Sequence, residues 1–332
     1  MVDSPEASNL PAQIASAVVG IPKALIPTSL KALDRLISAG VDIPVAWLAQ
    51  RKAKIEAQTE AYKAVETSIA KAAADLAGAD QDTVERAMAV LVRKEYRKQT
   101  NREAVAAAMI DDLHDQAAPT DAQTATPNPA DLDDDWLNVF ERYAEDASTE
   151  RMQKLWGRVL AGEVRKPGRY SIRTLRFLSE FSQADALAFA DFSKYVFRDS
   201  AVKSWVNAMY STDLRPIAAL ESSGLIQGLG MNAVNMSFKI DDNGNTYISE
   251  GPMILWLRGK PRETITEGMY LLTPLAIELL SLLPDRDLRL CAKSFAKSIR
   301  TSDIHSACIA VQDENFNLIP IEVLWDDRAQ SS

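Results

Sequence analysis

The sequence is poor in cysteine and histidine, with two of each in 332 residues. Two cysteines cannot build the disulfide framework of a small secreted scaffold. The histidines, His114 and His305, have no visible nucleophile as a partner, and the chain contains no Walker A sequence. We therefore predict no catalytic residues and no cofactor, which favours a protein that is not an enzyme.

Metal ligands are also scarce. Cys291, His305 and Cys308 are three possible zinc ligands close together in the sequence, but the chain has no C-x-x-C pair and no evident fourth ligand. Free cysteines are among the most buried residues in proteins. The sequence therefore favours buried structural thiols, and no metal site is predicted.

The chain also has no excess of basic residues over acidic residues. The chain has 37 Lys and Arg against 46 Asp and Glu, giving a net charge of -9, which disfavours a nucleic-acid binder that is basic throughout. No apolar run approaches the length of a membrane-spanning helix, and the first residues, MVDSPEASNLPAQ, are acidic where a signal peptide would be basic. These features predict a cytoplasmic protein.

Residues 1–114 are predicted to be a helical N-terminal region. Within residues 14–43, Ile and Leu recur at helical intervals beside Lys and Arg, which is typical of an amphipathic helix. Two interpretations stay open for this segment, namely core or oligomer contact and peripheral membrane contact. The first is favoured, because residues 1–60 carry six basic and six acidic residues. From Pro44 to Leu113 an alanine-rich helical pattern, interrupted near Gly78, favours close helix packing.

Residues 115–135 are predicted to be a disordered linker, because prolines, threonines and aspartates replace almost all apolar residues there. Residues 136–182 then predict a unit of three short helices, with Gly162 expected to end the second. The largest apolar residues on the first two helical faces should be buried together. They are Trp136, Phe140, Trp156 and Leu160.

The runs DDDWLNVFERYAEDAS and WGRVLAGEVRKPGRYSIRTLRFLSEFS lie between Asp133 and Ser182. Over these residues the chain resembles an uncharacterised bacterial family known as the domain of unknown function number 2806. The resemblance implies occurrence near prophage and phage-defence genes. The helical N-terminal half also resembles abortive-infection proteins, but neither likeness supplies a catalytic residue.

The fold class predicted is mainly α, with a C-terminal α+β part. Residues 183–284 predict a winged-helix-like domain, whose wing would be a hairpin closed at Asn243-Gly244. Residues 285–332 predict a helix and a final hairpin. The candidate recognition helix carries one cation, Arg215, against Asp213 and Glu221, so protein contact is favoured over DNA contact there.

Six cations between Arg158 and Arg176 form the strongest local charge feature. We name this segment the basic turn; its members are Arg158, Arg165, Lys166, Arg169, Arg173 and Arg176. A Pro-Gly turn followed by a helix start could hold phosphate groups or nucleic acid. The alternative is a solvated helix face paired with neighbouring glutamates at Glu145, Glu150 and Glu180.

The interpretation favoured by these observations is a non-enzymatic bacterial protein of a phage-defence or prophage-associated type, acting through self-association and the sensing of a protein partner. The alternative is a nucleic-acid-binding regulator that uses the winged helix or the part of the basic turn from Arg165 to Arg176.

Overall fold

A computed structural model describes residues 21–37, 81–115, 132–211, 213–230, 234–283, 286–313 and 317–327. The chain forms two compact units that divide between Ser179 and Glu180. Most of the predicted linker and the alanine-rich segment before Gln81 lie outside the described residues. The fold is mixed α+β, and the finer five-part division of the sequence stays a prediction.

The first unit is helical over its described residues. A short 3-10 turn at Lys23–Leu25 leads into the helices, which are α1 (Ile26–Ile37), α2 (Gln81–Asp115), α3 (Asp134–Glu145), α4 (Glu150–Arg165) and α5 (Ile172–Glu180). Along the described part of the chain, no helix is long and apolar enough to cross a membrane.

Helix α1 is amphipathic, and its apolar side packs inside the first unit. Leu33 and Leu36 are buried. On the polar side, Lys31 donates to the carbonyl of Leu132 at 2.7 Å and pairs with Asp134 at 3.1 Å. These contacts favour the packing interpretation for residues 21–37.

The three short helices predicted after the linker are confirmed as α3, α4 and α5. Asp133 caps α3 by accepting from the backbone N–H groups of Asp135 and Trp136, as its position predicts. Thr149 caps α4, since its side chain accepts from the backbone N–H of Met152 at 3.3 Å.

The predicted burial of aromatic residues between these helices is confirmed. Trp136 stacks on Phe140 at 5.0 Å, and Phe140 meets the edge of Trp156 at 5.6 Å between ring centroids. Leu160 is also fully buried. The Trp136 indole N–H donates to the carbonyl of Tyr170 at 2.7 Å, so the aromatic cluster also fixes the segment after α4.

The prediction that Gly162 ends α4 was wrong, because the helix continues to Arg165. A Cβ atom at Gly162 would lie 2.7 Å from the ring of Tyr170, so the glycine makes room for a side chain. Gly157 has a similar role, since a Cβ there would lie 2.8 Å from the backbone nitrogen of Met109 in α2. Both glycines therefore serve packing inside the first unit.

The second unit carries helices and two antiparallel sheets. Its helices are α6 (Gln183–Ser193), α7 (Lys203–Met209), α8 (Arg215–Ser222), α9 (Pro274–Leu280) and α10 (Leu288–Ser298). Its strands are β1 (Ser200–Val202), β2 (Ile226–Gln227), β3 (Val234–Lys239), β4 (Asn245–Glu250), β5 (Met253–Gly259), β6 (Thr264–Leu272), β7 (Ile304–Gln312) and β8 (Leu318–Asp326).

The pairing of strands corrects the predicted wing. Strand β6 pairs with β1, β2 and β3 in the first sheet, whereas the second sheet has the order β4-β5-β7-β8. The turn at Asn243-Gly244 exists, but β3 and β4 on either side of it belong to different sheets. The expected hairpin is therefore a crossing between sheets, while the final hairpin of β7 and β8 is confirmed.

Helix α10 packs with both sheets around one core. Phe295 of α10 contacts Phe197 and Phe238 at 5.9 and 6.3 Å between ring centroids. Buried Leu255 and Ile309 extend the same core along β5 and β7. Because this core takes one face of the second sheet, the opposite face carries the remaining side chains of β4, β5, β7 and β8.

Candidate functional site

The basic turn is held in shape by a buried carboxylate. Glu163 is 2% exposed, and its carboxylate oxygens accept from the backbone N–H of Gly168 at 2.5 Å and of Tyr170 at 3.0 Å. Gly168 has a φ of 79°, which a residue with a side chain rarely adopts. The chain therefore reverses at a fixed place between α4 and α5.

Two of the six cations are engaged by one aspartate of α2. Arg165 donates to the Asp112 carboxylate at 2.7 Å and to the Asp112 carbonyl at 2.6 Å. Arg158 lies 3.6 Å from the other oxygen of the same carboxylate. The partners predicted from the sequence for the basic turn were glutamates and did not include Asp112. This aspartate joins α2 to α4 through the two arginines.

The other cations of the basic turn are more open to solvent. Lys166, Arg173 and Arg176 are exposed, and the guanidinium of Arg169 lies 5.6 Å from the centroid of the Tyr170 ring. The exposed cations of the basic turn follow α4 and lie on α5, where an anion could reach them. The structure therefore divides the predicted set into structural arginines and exposed cations.

A hollow of about 580 Å³ lies between α2 and α4, beside the structural arginines. Four carboxylates line it against two cations, Lys154 and Arg158. The carboxylates are those of Asp111, Asp112, Asp115 and Glu150. An excess of negative charge repels phosphate, so this hollow is not where the basic turn would hold an anion.

The helix proposed for groove recognition offers little positive charge. The guanidinium of Arg215 on α8 donates to the Asp213 carboxylate at 2.8 and 2.9 Å. Glu221 accepts from the backbone N–H groups of Gly228 and Leu229 at 2.9 and 2.8 Å. Both acidic residues therefore have structural roles near the helix ends.

The two thiols are placed on different elements. Cys291 is buried on α10 and donates to the carbonyl of Ser193 at 3.5 Å, whereas Cys308 is half-buried on β7. Burial raises the pKa of the Cys308 thiol. Among the described residues no group of three His, Cys, Asp or Glu side chains is placed to hold a metal ion.

The second sheet presents a feature that sequence reasoning missed. Strand register places one residue from each of its four strands side by side on the face opposite the α10 core. We name these four residues the aromatic row; they are Tyr247, Trp256, Cys308 and Val323. We name the surface the outer face; Tyr247 is 47% and Val323 is 65% exposed. The five consecutive apolar residues from Met253 to Leu257 indicate a strand, but an unbroken apolar run does not show which face of β5 stays open.

Trp256 lies at the centre of the outer face. The Arg258 guanidinium lies 4.1 Å from its ring centroid, Tyr247 lies 5.9 Å away, and its indole N–H donates to the Asn245 side chain at 2.8 Å. Partial burial and nearby Asp241 raise the pKa of Tyr247 against the lowering effect of Arg258. The aromatic side chains are thus held in place while part of their surface stays in water.

The polar edge of the outer face carries charges of both signs. The row Asn245, Arg258, Ser306 and Asp326 crosses the sheet beside the aromatic row. Arg258 on β5 and Asp326 on β8 have one strand between them. The outer face therefore offers an apolar strip bordered by opposite charges, which suits contact with protein.

Comparison with known proteins bears on most of the first unit and on the beginning of the second. The sequence model of a family described as "Protein of unknown function (DUF2806)" matches residues 85–214, which confirms the resemblance predicted for residues 133–182. The match includes the basic turn and ends before the outer face. No curated protein and no solved structure matches the chain.

Proposed function

We propose that the chain is a non-enzymatic bacterial protein of a phage-defence or prophage-associated type, which acts through self-association and the sensing of a protein partner. The type is what the resemblance to this family implies, and the family itself is described only as a protein of unknown function. Self-association rests on one observation, namely the open aromatic row on the outer face. Apolar surface of this kind gains free energy when it leaves water.

A second copy of the chain is the occupant proposed for the outer face. A two-fold axis close to the direction of β7 would place Arg258 of one copy opposite Asp326 of the other, because each lies one strand from β7. Val323 would then face the partner copy's Trp256, and the two Cys308 residues would face each other. Sheets pack about 10 Å apart, which leaves room for these side chains.

Edge-to-edge pairing through β8 is the less favourable way to associate. Strand β8 is an edge of the second sheet, but Pro320 lacks a backbone donor and the register with β7 shifts at two places. Proline and bulges are features that blunt an edge against strand addition. Face-to-face contact therefore suits the exposed side chains better.

Sedimentation equilibrium and cysteine cross-linking test this dimer. A short bismaleimide should link two chains through Cys308, and Cys308→Ser should abolish the link. Arg258→Asp should weaken the dimer, and adding Asp326→Arg should restore it, because the swapped charges again face each other across the axis. A monomer at all concentrations, or a double variant no better than Arg258→Asp, contradicts the proposal.

A cellular experiment tests the phage-defence part separately. Phage plating efficiency would be compared on cells that carry the native chain, Arg258→Asp, and the restored double variant. We expect protection to be lost with the single change and recovered with the double change. Protection by a chain that stays monomeric would dissociate defence from self-association.

The alternative function is nucleic-acid binding, and the exposure of Lys166 and Arg173 beside the Pro-Gly turn favours it. In the winged-helix form of this alternative, Arg215 would have to leave Asp213 to reach a phosphate, so the basic turn is the better candidate. Fluorescence anisotropy with a labelled oligonucleotide should show affinity that falls steeply with salt. Lys166→Glu with Arg173→Glu should abolish binding, while Arg142→Glu with Arg151→Glu, also exposed on the first unit, should reduce it little.

A further inference from the structure

The second unit contains an apolar cavity of about 320 Å³ beside the start of α10. Ala190 and Ser193 of α6 line one side, and Leu283, Leu290 and Cys291 line the other. This volume lies at the lower end of the range found for small-molecule sites. The cavity lies on the α10 side of the sheet, so it is separate from the outer face.

A buried guanidinium forms the polar part of the cavity wall. The Arg286 side chain is nine-tenths buried and pairs through both terminal nitrogens with the Glu250 carboxylate, while Nη2 also donates to the Val196 carbonyl at 2.8 Å. These three hydrogen bonds leave two of its five N–H groups, on Nε and on Nη1, without an acceptor within the part of the chain that the structure describes, and Nε is closed off from the cavity. A buried donor without an acceptor is unfavourable, so an acceptor delivered by a ligand would be stabilised by the guanidinium.

The charges around the cavity are already balanced. Glu250 neutralises Arg286, and the Lys194 ammonium lies 2.7 Å from the Asp191 carboxylate. Asp287 accepts from two backbone N–H groups at the start of α10. An anion entering the cavity would meet no unbalanced positive charge, whereas a neutral acceptor would lose little on leaving water.

Cys291 completes the wall with a neutral group. Burial raises the pKa of its thiol, and the nearby Arg286 guanidinium only partly opposes that effect. The thiol is therefore protonated at neutral pH and adds no charge to the cavity. It also gives a chemical reporter for whether the cavity is occupied.

We propose that this cavity is a binding site for a small uncharged molecule with an apolar body and one hydrogen-bond acceptor oxygen, which accepts from the Arg286 guanidinium. The apolar walls receive the body of the ligand, and the guanidinium orients it. The site is independent of self-association through the outer face.

Three probes of similar shape test the chemistry on the full chain. Acetophenone carries a neutral carbonyl, benzoate an anionic acceptor, and ethylbenzene no acceptor. Ligand-observed saturation-transfer NMR should show the strongest binding for acetophenone, with ethylbenzene weaker and benzoate weakest. Equal binding of benzoate would overturn the assignment to neutral ligands, and equal binding of ethylbenzene would remove the role of Arg286. No signal from acetophenone at millimolar concentration would overturn the site itself.

Two further measurements locate the bound probe. In a Cys308→Ser background, acetophenone at about ten times its Kd should slow alkylation of Cys291 by N-ethylmaleimide about tenfold. Ala190→Phe should fill the cavity and abolish the NMR signal, whereas Leu187→Phe, exposed on the same helix, should keep it. Binding that persists in folded Ala190→Phe, or that leaves Cys291 unprotected, places the probe elsewhere. The alkylation test does not change Ala190, so it still shows whether acetophenone binds in the cavity if Ala190→Phe does not fold.

Discussion

The two units use their aromatic side chains in opposite ways. In the first unit, Trp156 is 1% exposed and meets Phe140 and Tyr143 at 5.6 and 5.4 Å between ring centroids. On the outer face of the second unit, Tyr247 and Trp256 also pack together, but Tyr247 keeps 47% of its surface in water. Aromatic contact in the helical unit thus contributes to folding, while the same contact on the sheet leaves surface for a partner.

Charged residues show a second difference between the two units, since two in the first are buried or nearly so and two on the outer face of the second are exposed. Asp112 and Glu163 are buried or nearly so and join elements of the helical unit through Arg165 and the turn after α4. On the outer face, Arg258 and Asp326 border an apolar strip and are exposed. Substitutions in the first unit should therefore change stability, whereas substitutions on the outer face should change association.

The largest effect on stability is expected from Trp156→Ala. Removing a fully buried indole from a close-packed helical core should cost about 3–5 kcal/mol of the free energy of unfolding. Trp256→Ala on the outer face should cost clearly less, because part of that ring is already in water. Chemical denaturation followed by circular dichroism measures both, and equal losses would contradict the contrast between the units.

Close packing between α2 and α4 gives the next test. Gly157→Ala would bring a Cβ atom 2.5 Å from the Cβ of Ala108, so the helices must separate. We expect a loss of about 1–3 kcal/mol, as for other overpacked cores. Lys154→Ala, one turn earlier on α4 and exposed, is the matched control and should change the midpoint of unfolding little. A neutral Gly157→Ala would show that the two helices have room to spare.

Helices of the second half of the first unit follow from local patterns, which explains why the sequence predicts them well. Apolar spacing and a capping aspartate lie within a few residues of each other, as at Asp133 and Trp136. The partner of Arg165 could not be predicted in this way, because Asp112 lies 53 residues earlier in the chain. The prediction that Gly162 ends α4 was wrong for a related reason. The glycine makes room for the ring of Tyr170, which lies in the turn after the helix.

The sheets show the same limit more clearly. Turn residues at Asn243-Gly244 correctly mark a reversal, but sequence cannot say that β4 continues into a different sheet from β3. The outer face depends on the register of four strands, of which β5 and β7 pair although β6, α9 and α10 lie between them in the chain. Its aromatic row is therefore visible only once the strands are paired.

Within the basic turn, the structural and the exposed cations can be separated by mutation. Arg165→Ala should destabilise the chain by about 1–3 kcal/mol, because it removes two charge-assisted hydrogen bonds to Asp112 that are mostly shielded from water. Arg173→Ala, exposed on α5, should cost about 0–1 kcal/mol. Thermal unfolding of the two variants compares them, and a larger loss for Arg173→Ala would reverse the assignment of roles.

Val323→Ser should have the smallest effect on stability and still affect association. The side chain is 65% exposed, so replacing it should change the free energy of unfolding of the monomer by no more than about 0.5 kcal/mol. In the proposed dimer it faces the partner copy's Trp256, where a hydroxyl would lose apolar contact and gain no evident acceptor. Ser249→Ala, exposed on β4 of the same face and outside the aromatic row, is the control. Denaturation measured below the dimerisation range, together with sedimentation above it, separates the two effects. The prediction is contradicted if Val323→Ser lowers the stability of the monomer but leaves dimerisation unchanged. Val323 would then contribute to folding, and the outer face would not be the dimer contact.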